Sequence, residues 1–219
     1  MTYHTSRETI EATLAEIQTK GVQTLAIPAD LSLPDQAARA VTETANSLGR
    51  LDVLINMASI YKRTPFVSLS PDDFTAMIAA NLAPSYHTSL AAARQMQSQA
   101  AENGIKGKII NIGDWATDRP YKHYLPYLVA KGALKTFTLA LANELAPEIT
   151  VNILQPAMID PPPHFTPEDK AAVLAITPLH RSGTPADLNN LILYLLEGTD
   201  FVTGASYRVD GGRFLGVDD

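Results

Sequence analysis

Short apolar segments alternate with longer amphipathic segments along most of this chain, a pattern that predicts parallel strands connected by helices. The predicted strands are residues 24–29, 52–58, 108–114, 150–155 and 206–209. Most of them are apolar at successive positions, which is typical of strands buried on both faces. The sequence therefore predicts an α/β fold with a doubly wound, mostly parallel sheet and helices on both faces.

Helix starts are predicted where a side chain that can accept a hydrogen bond precedes a proline or an acidic residue. Thr5 and Glu8 form such a capping-box pattern, followed by an apolar stripe that runs to Gly21. The other predicted starts are Ser32, Ser70, Thr166 and Thr184, and a further helix is predicted over residues 126–145. The helix after Ser70 is expected to continue to about residue 103 and to bend at Pro84, because proline lacks the N–H that the helix needs. Residues 160–167 are rich in proline and are expected to form a mobile loop over a binding site.

Composition and charge narrow the kinds of partner. The 219 residues are 46% hydrophobic and 18% charged, enough for one sizeable core, so residues 1–219 are interpreted as a single domain. A net charge of -6 with scattered basic residues argues against a nucleic-acid surface. The polar N-terminal segment lacks a signal-peptide core, and no apolar run approaches the roughly 18 residues of a membrane span. We therefore expect a cytoplasmic protein with a small-molecule partner.

Metal chemistry is disfavoured by the residue types. The chain has no cysteine, which excludes disulfides and Cys-ligated zinc. Its five histidines show no His-x-x-x-His spacing and no neighbouring carboxylate pattern. We expect no metal site.

The candidate proton-transfer group is Tyr127, which precedes Lys131 by four residues and would share a helix face with it. Asp114 lies 13 residues before the tyrosine, at the end of a predicted strand. An adjacent ammonium favours a phenolate, so Lys131 is expected to lower the pKa of Tyr127 and make it a usable acid near neutral pH. The spacing alone is a weak motif, since eight tyrosines and eight lysines give about 0.3 Tyr-x-x-x-Lys pairs by chance.

Three predicted strands end at or next to residues 56–59, 113–115 and 156–158. Ligands of parallel α/β sheets bind beyond the carboxyl ends of the strands. These three strand ends and the Tyr127 helix are therefore expected to converge on one crevice.

The chain resembles the short-chain dehydrogenase/reductase family over essentially its whole length. The matching motifs, in chain order, are Asp30-Leu31, Asn56-Met57-Ala58-Ser59, Asn81, Tyr127-x-x-x-Lys131, Asn152-x-x-x-Pro156-Ala157, Thr203-Gly204 and Asp210-Gly211-Gly212. The resemblance implies a Rossmann-like oxidoreductase that transfers hydride from a nicotinamide cofactor. It also implies a homodimer or homotetramer formed through the helices around Asn81 and Tyr127.

The resemblance implies a role for each matching residue. Tyr127 would donate the proton, Lys131 would hydrogen-bond the nicotinamide ribose, and Asn81 would hold a water in the proton relay. The implied cofactor-binding residues are His4, Thr5, Ser6, Asp30, Leu31, Asn56, Ala58, Lys131, Pro156 and Met158. No acidic side chain stands between His4 and Arg7, where one would bind the ribose hydroxyls of NAD, so NADPH is the expected cofactor.

Asp114 departs from the family pattern, which has a serine at this position. Within the family the aspartate resembles the pteridine reductase group, and this resemblance implies NADPH-dependent reduction of a dihydropterin or related folate. The implied substrate contacts are Ser59, Tyr61, Asp114 and Tyr127. The alternative is a generic carbonyl or 3-oxoacyl reductase, which would normally retain the serine.

A second departure concerns the cofactor. No Gly-x-x-x-Gly-x-Gly or Gly-x-Gly-x-x-Gly pattern occurs in the 219 residues, although such a turn binds the cofactor pyrophosphate in the family. The family's first strand and helix are therefore expected to be missing from this chain. If cofactor binding is lost with them, the chain would be a catalytically silent subunit, which stays open as a second alternative.

Overall fold

Six strands and seven α-helices make up the part of the chain that the computed structural model describes, residues 1–161 and 165–216. The strands are β1 (Thr2–Tyr3), β2 (Ile27–Pro28), β3 (Val53–Asn56), β4 (Gly107–Ile112), β5 (Ile149–Pro156) and β6 (Ser206–Val209). The helices are α1 (Arg7–Gln18), α2 (Pro34–Leu48), α3 (Pro71–Asn81), α4 (Ala83–Ser98), α5 (Leu125–Leu145), α6 (Pro167–Ala175) and α7 (Pro185–Leu193). No helix of the described ranges is long and apolar enough to cross a membrane.

Every strand pair is parallel. Strands β3, β4, β5 and β6 form one sheet in that order, and β1 pairs with β2 in a separate two-stranded sheet. Parallel neighbours need a crossover connection, and helices supply it between the strands of both sheets. The α/β prediction is therefore confirmed. Neither β1 nor β3 has a second strand partner among the described residues, and the expected absence of one strand and helix stays a prediction.

Helices cover both faces of the four-stranded sheet. On one face, Ile109 of β4 and Val151 of β5 are fully buried in a cluster with side chains of α2, α4 and α5. On the opposite face, Ile110 and Leu154 are buried against α7 and the π-helical turn Tyr194–Gly198. Successive strand residues point to opposite faces, which is why these two strands are apolar at nearly every position.

Helix caps were predicted correctly at three positions and incorrectly at two. Ser70, Thr166 and Thr184 each form a capping box, in which the hydroxyl and the N3 aspartate exchange hydrogen bonds with the backbone. Thr5 does not form the predicted box, because α1 begins one residue later and its N-cap, Ser6, makes no side-chain cap bond. Ser32 does not cap α2, since its hydroxyl donates to the Asp30 carboxylate and the N-cap is Leu33.

The predicted continuous helix after Ser70 is two helices. The helix is interrupted at Leu82, which lies between the end of α3 and the proline-containing start of α4. Helix α4 then ends at Ser98 and does not reach residue 103. The first predicted strand is also shorter than expected, since only Ile27–Pro28 pairs. Of the predicted loop over residues 160–167, positions 162–164 lie outside the described residues.

Candidate active site

A cavity of about 700 Å³ lies at the carboxyl ends of β3, β4, β5 and β6. It is lined by residues that follow these strands and by one face of α5. Of the predicted substrate and catalytic residues, Ser59, Tyr61, Asp114, Tyr127 and Lys131 all border it. The predicted convergence of strand ends on one crevice is thus present in the structure.

Tyr127 and Asp114 are joined by a direct hydrogen bond. The Tyr127 hydroxyl donates to Asp114 Oδ2 at 2.7 Å, and the other carboxylate oxygen, Oδ1, accepts from the Ala116 N–H at 2.8 Å. The carboxylate caps the short 3₁₀ turn Trp115–Thr117 at the end of β4. Burial raises the pKa of Asp114, and the bonds from Ala116 and Tyr127 only partly oppose this effect.

The pKa of Tyr127 was predicted in the wrong direction. Only 5% of Tyr127 is exposed, and burial followed by the neighbouring Asp114 charge raises its pKa well above the usual range. The expected lowering by Lys131 does not occur, because desolvation and a carboxylate within hydrogen-bonding distance both oppose the phenolate. Tyr127 is therefore held as a neutral phenol, the form that can donate a proton.

Lys131 is buried beneath the tyrosine, one helical turn along α5. Its Nζ lies 6.0 Å from the Tyr127 ring centroid and donates to the Ile112 carbonyl at 2.9 Å. Desolvation lowers its pKa to about 8, and the Asp114 charge partly opposes this shift. The ammonium thus stands beside the cavity on its predicted helix face, although it makes no hydrogen bond to the tyrosine hydroxyl.

Asn81 contacts the segment that follows β3 at the cavity wall. Its side-chain oxygen accepts from Ser59 Oγ at 2.7 Å and from the Ile60 N–H at 2.9 Å, and its amide donates to the Met77 carbonyl at 3.1 Å. The side chain is completely buried. Asn81 therefore orients Ser59 at the cavity wall, and its predicted water-holding role stays a prediction.

Tyr61 lies in an aromatic group at one end of the cavity. Its ring stacks on Tyr124 with centroids 4.4 Å apart and planes inclined by 13°, and it meets the Tyr127 ring edge-on at 5.1 Å. Tyr121 and Trp115 continue the group. Since the ring borders both the cavity and Tyr127, its position is compatible with the predicted substrate contact.

Eight of the ten predicted cofactor residues lie in three places. Lys131, Pro156 and Met158 line the cavity. His4, Thr5 and Ser6 lie on the surface at the end of β1 and border no part of it. Asp30 and Leu31, at the end of β2, also lie outside it, and the Asp30 carboxylate accepts from Ser32, which lowers its pKa.

Asn56, another predicted cofactor residue, is part of a buried polar network. Its amide donates to Asn111 Oδ1 at 2.8 Å and to the Ser89 hydroxyl at 2.9 Å, and its oxygen accepts from Thr88 at 2.7 Å. With its side chain fully hydrogen-bonded inside the protein, Asn56 ties β3 to β4 and α4. Ala58, two residues later, is exposed and does not border the cavity.

Sequence reasoning missed two features of the site. Asn111, the β4 partner of Asn56 in register, completes the polar network, and an asparagine near the end of each of two neighbouring strands was the available signal. Arg213 also lines the cavity. Its signal was a charged residue directly after the Asp210-Gly211-Gly212 motif.

Several known proteins similar to this chain are named as reductases, dehydrogenases or oxidoreductases. A family model described as enoyl-(acyl carrier protein) reductase matches residues 1–213. The uncharacterized oxidoreductase YohF of Escherichia coli K12 is 32% identical over 219 residues, which cover 98% of this chain and 85% of that protein. The 3-oxoacyl-[acyl-carrier-protein] reductase FabG of Staphylococcus aureus is 29% identical over 217 residues, covering 97% of this chain and 86% of FabG. A solved short-chain dehydrogenase from Burkholderia cenocepacia J2315 in complex with NADP has a TM-score of 0.87 and 29% identity, covering 97% of this chain and 85% of that chain.

Proposed function

The chain belongs to the short-chain dehydrogenase/reductase family, and we propose that it reduces a carbonyl group with NADPH, using Tyr127 as the proton donor. The observation that carries this proposal is the buried, neutral Tyr127 phenol at the wall of a cavity of about 700 Å³, beside Lys131. The similarity to FabG, a 3-oxoacyl reductase by name, favours a ketone as the substrate. Ketone reduction is thereby favoured over reduction of a dihydropterin.

The nicotinamide cofactor would supply the hydride, and the residues present fit its reactive end. Lys131 offers an ammonium for the ribose, while Pro156 and Met158 offer apolar wall for the nicotinamide ring. His4, Thr5 and Ser6 would contact the adenosine end, and the absence of an acid among them favours NADPH over NADH. A titration that follows NADPH fluorescence tests this step, and failure to bind would favour a catalytically silent subunit.

Proton transfer would begin from the Tyr127 hydroxyl. In the structure this hydroxyl donates to Asp114 at 2.7 Å, so a substrate carbonyl must replace Asp114 as the acceptor before it can receive the proton. Lys131 would stabilise the phenolate that forms, because its ammonium is the buried cation nearest the ring. Ser59, oriented by Asn81, provides a second hydroxyl at the cavity wall.

Tyr127→Phe tests the proton donor. Loss of a general acid should lower kcat for ketone reduction about 100-fold or more, measured by the loss of NADPH absorbance. Tyr86→Phe removes the same hydroxyl from an exposed position on α4 and serves as the control. A Tyr127→Phe enzyme with more than about a third of the wild-type kcat would contradict the assignment.

A second candidate, reduction of a dihydropterin, is favoured by Asp114. A buried carboxylic acid can bind ring nitrogens or amino groups of a pterin in ways that a serine hydroxyl cannot. Asp114→Ser separates the two candidates. Pterin reduction should be lost in this variant, whereas ketone reduction should persist, because the serine restores the hydroxyl usual in the family.

The chain is proposed to act as a single domain, residues 1–219, in a homodimer or homotetramer. Several large apolar side chains are exposed near the start of α5, in α3 and in the 3₁₀ turn Phe66–Ser68 that precedes α3, namely Phe66, Val67, Phe74, Leu125 and Val129. A second copy of the chain would remove them from water. Sedimentation equilibrium tests this, and a monomer at assay concentrations would refute it.

A further inference from the structure

Arg213 is exceptional among the arginines that line the cavity. Arg181 is paired with both carboxylate oxygens of Asp187 at 2.9 and 3.0 Å, and Arg208 lies 3.5 Å from Asp118. No ion pair within residues 1–161 and 165–216 involves Arg213. The cavity wall thus carries a guanidinium whose charge no described carboxylate balances.

The environment of this guanidinium is partly desolvated. Burial lowers the pKa of Arg213, the charge of Arg119 adds to this effect, and the side chains of Tyr121 and Tyr61 oppose it. Both of these side chains line the same cavity. A partly buried cation that lacks a counter-ion is costly, and an anion in the cavity would offset the cost.

The side chain is held in place on one side. Its Nη1 donates to the Val173 carbonyl at 2.7 Å and lies 3.3 Å from Thr177 Oγ1, and the guanidinium carbon lies 5.4 Å from the centroid of the Trp115 ring. These contacts use one of the two terminal nitrogens. Within residues 1–161 and 165–216, no hydrogen bond uses the remaining N–H groups of the fork, whose geometry suits a planar oxygen acceptor.

The preceding turn fixes the backbone of Arg213. The Asp210 carboxylate accepts from the N–H groups of Gly212 and Phe214, and the two glycines have φ values of 60° and 83°. A Cβ at Gly212 would come within 3.0 Å of Pro178. The turn thus fixes the backbone and the contacts with Val173 and Thr177 hold the guanidinium, so that it loses little entropy when it binds a carboxylate.

We propose that Arg213 binds a carboxylate of the substrate, so that the enzyme prefers oxo acids to neutral ketones. This inference rests on the proposed ketone reduction. The carbonyl would face Tyr127 and the carboxylate would face Arg213, while Tyr61 and Tyr121, which line the same cavity, would contact the carbon skeleton.

The kinetic test uses acetoacetate, 4-oxopentanoate and 5-oxohexanoate, each beside its methyl ester, with NADPH. The acid of best-fitting length should have kcat/KM about 10- to 100-fold above that of its ester, as expected for a charged hydrogen-bonded pair. Arg213→Met should remove this preference by raising KM for the acid and should leave the ester within about two-fold. Arg213→Lys, which keeps the charge but not the fork, should recover part of the preference.

The matched control is Arg208→Gln, which removes one positive charge from the same cavity wall. Its side chain is 41% exposed and has Asp118 as a neighbour, so the acid-to-ester ratio should stay within about two-fold of wild type. An equal loss in Arg208→Gln and Arg213→Met would mean that the overall field of the cavity, and not Arg213, selects the acid, and would overturn the proposal.

A binding test gives a readout that does not depend on turnover. Trp115 is the single tryptophan of the chain, so its fluorescence reports ligands at Arg213. Benzoate should quench or shift this emission and benzamide should not, and Arg213→Met should abolish the difference.

The two tests distinguish failure of the inference from failure of the proposed function. Ester reduced as well as acid, with benzoate and benzamide bound alike, would overturn the role of Arg213 and leave ketone reduction standing. No reduction of any compound, with Arg213-dependent benzoate binding, would support the carboxylate site and reject ketone reduction for this series. Equal loss of acid and ester activity in both Arg213 variants would show a purely structural role and would also overturn the proposal.

Discussion

The lowered pKa of Lys131 predicts that this residue destabilises the folded chain at neutral pH. Only 3% of Lys131 is exposed, and desolvation lowers its pKa from the ordinary 10.5 to about 8. At about 1.4 kcal/mol per pH unit, this difference corresponds to roughly 3 kcal/mol for holding the charged form in the folded state. Lys131→Met removes the charge and keeps most of the volume.

The sign of the pH dependence follows from the proton counts of the two states. Below about pH 8 both states hold the proton, so the folded wild type bears the full cost. Between about pH 8 and 10.5 only the unfolded state holds it, so wild-type stability rises with pH relative to the variant. Integration between pH 7 and 10 gives a change of about 2.5 kcal/mol in the stability difference.

This change can be measured by urea unfolding of the wild type and of Lys131→Met, without cofactor, at pH 7, 8.5 and 10. Loss of the hydrogen bond to the Ile112 carbonyl costs the variant roughly 1 to 3 kcal/mol at every pH, so the net difference at pH 7 should be small. Between pH 7 and pH 10 the wild type should gain about 2.5 kcal/mol relative to the variant, which makes it the more stable protein at pH 10 by up to about 2 kcal/mol. A stability difference that does not change with pH would refute the desolvation argument, whatever its size.

Two further predictions concern local structure. Thr184→Ala should lower the free energy of unfolding by about 1 kcal/mol in urea, since it removes a capping box. Ser6→Ala should change the free energy of unfolding by less than about 0.5 kcal/mol, because Ser6 makes no side-chain cap bond. Equal effects of the two substitutions would contradict the cap assignments. Gly107→Ala should cost about 1 to 3 kcal/mol in the same assay, because the new Cβ would meet Met96 Sδ closer than two atoms can approach, and a neutral result would mean that Met96 repacks freely.

Local patterns in the sequence predicted the features that depend on neighbours along the chain. The capping boxes at Ser70, Thr166 and Thr184 formed because each involves atoms three residues apart. Tyr127 and Lys131 share one side of α5 because helix geometry places residues four apart together. The predicted capping box at Thr5 does not form, because such a box requires the helix to begin at one particular residue and α1 begins one residue later.

The alternation of strands and helices also determined the α/β architecture and the edge of the sheet at which the site lies. Only the tertiary structure decided the protonation of Tyr127, the contacts of Asn81 and the presence of Arg213 in the same cavity. These properties depend on burial and on partners far away in the chain, such as Asp114 for Tyr127 and Val173 for Arg213. Periodicity reports which face a residue occupies, whereas desolvation and charge depend on everything that packs against that face.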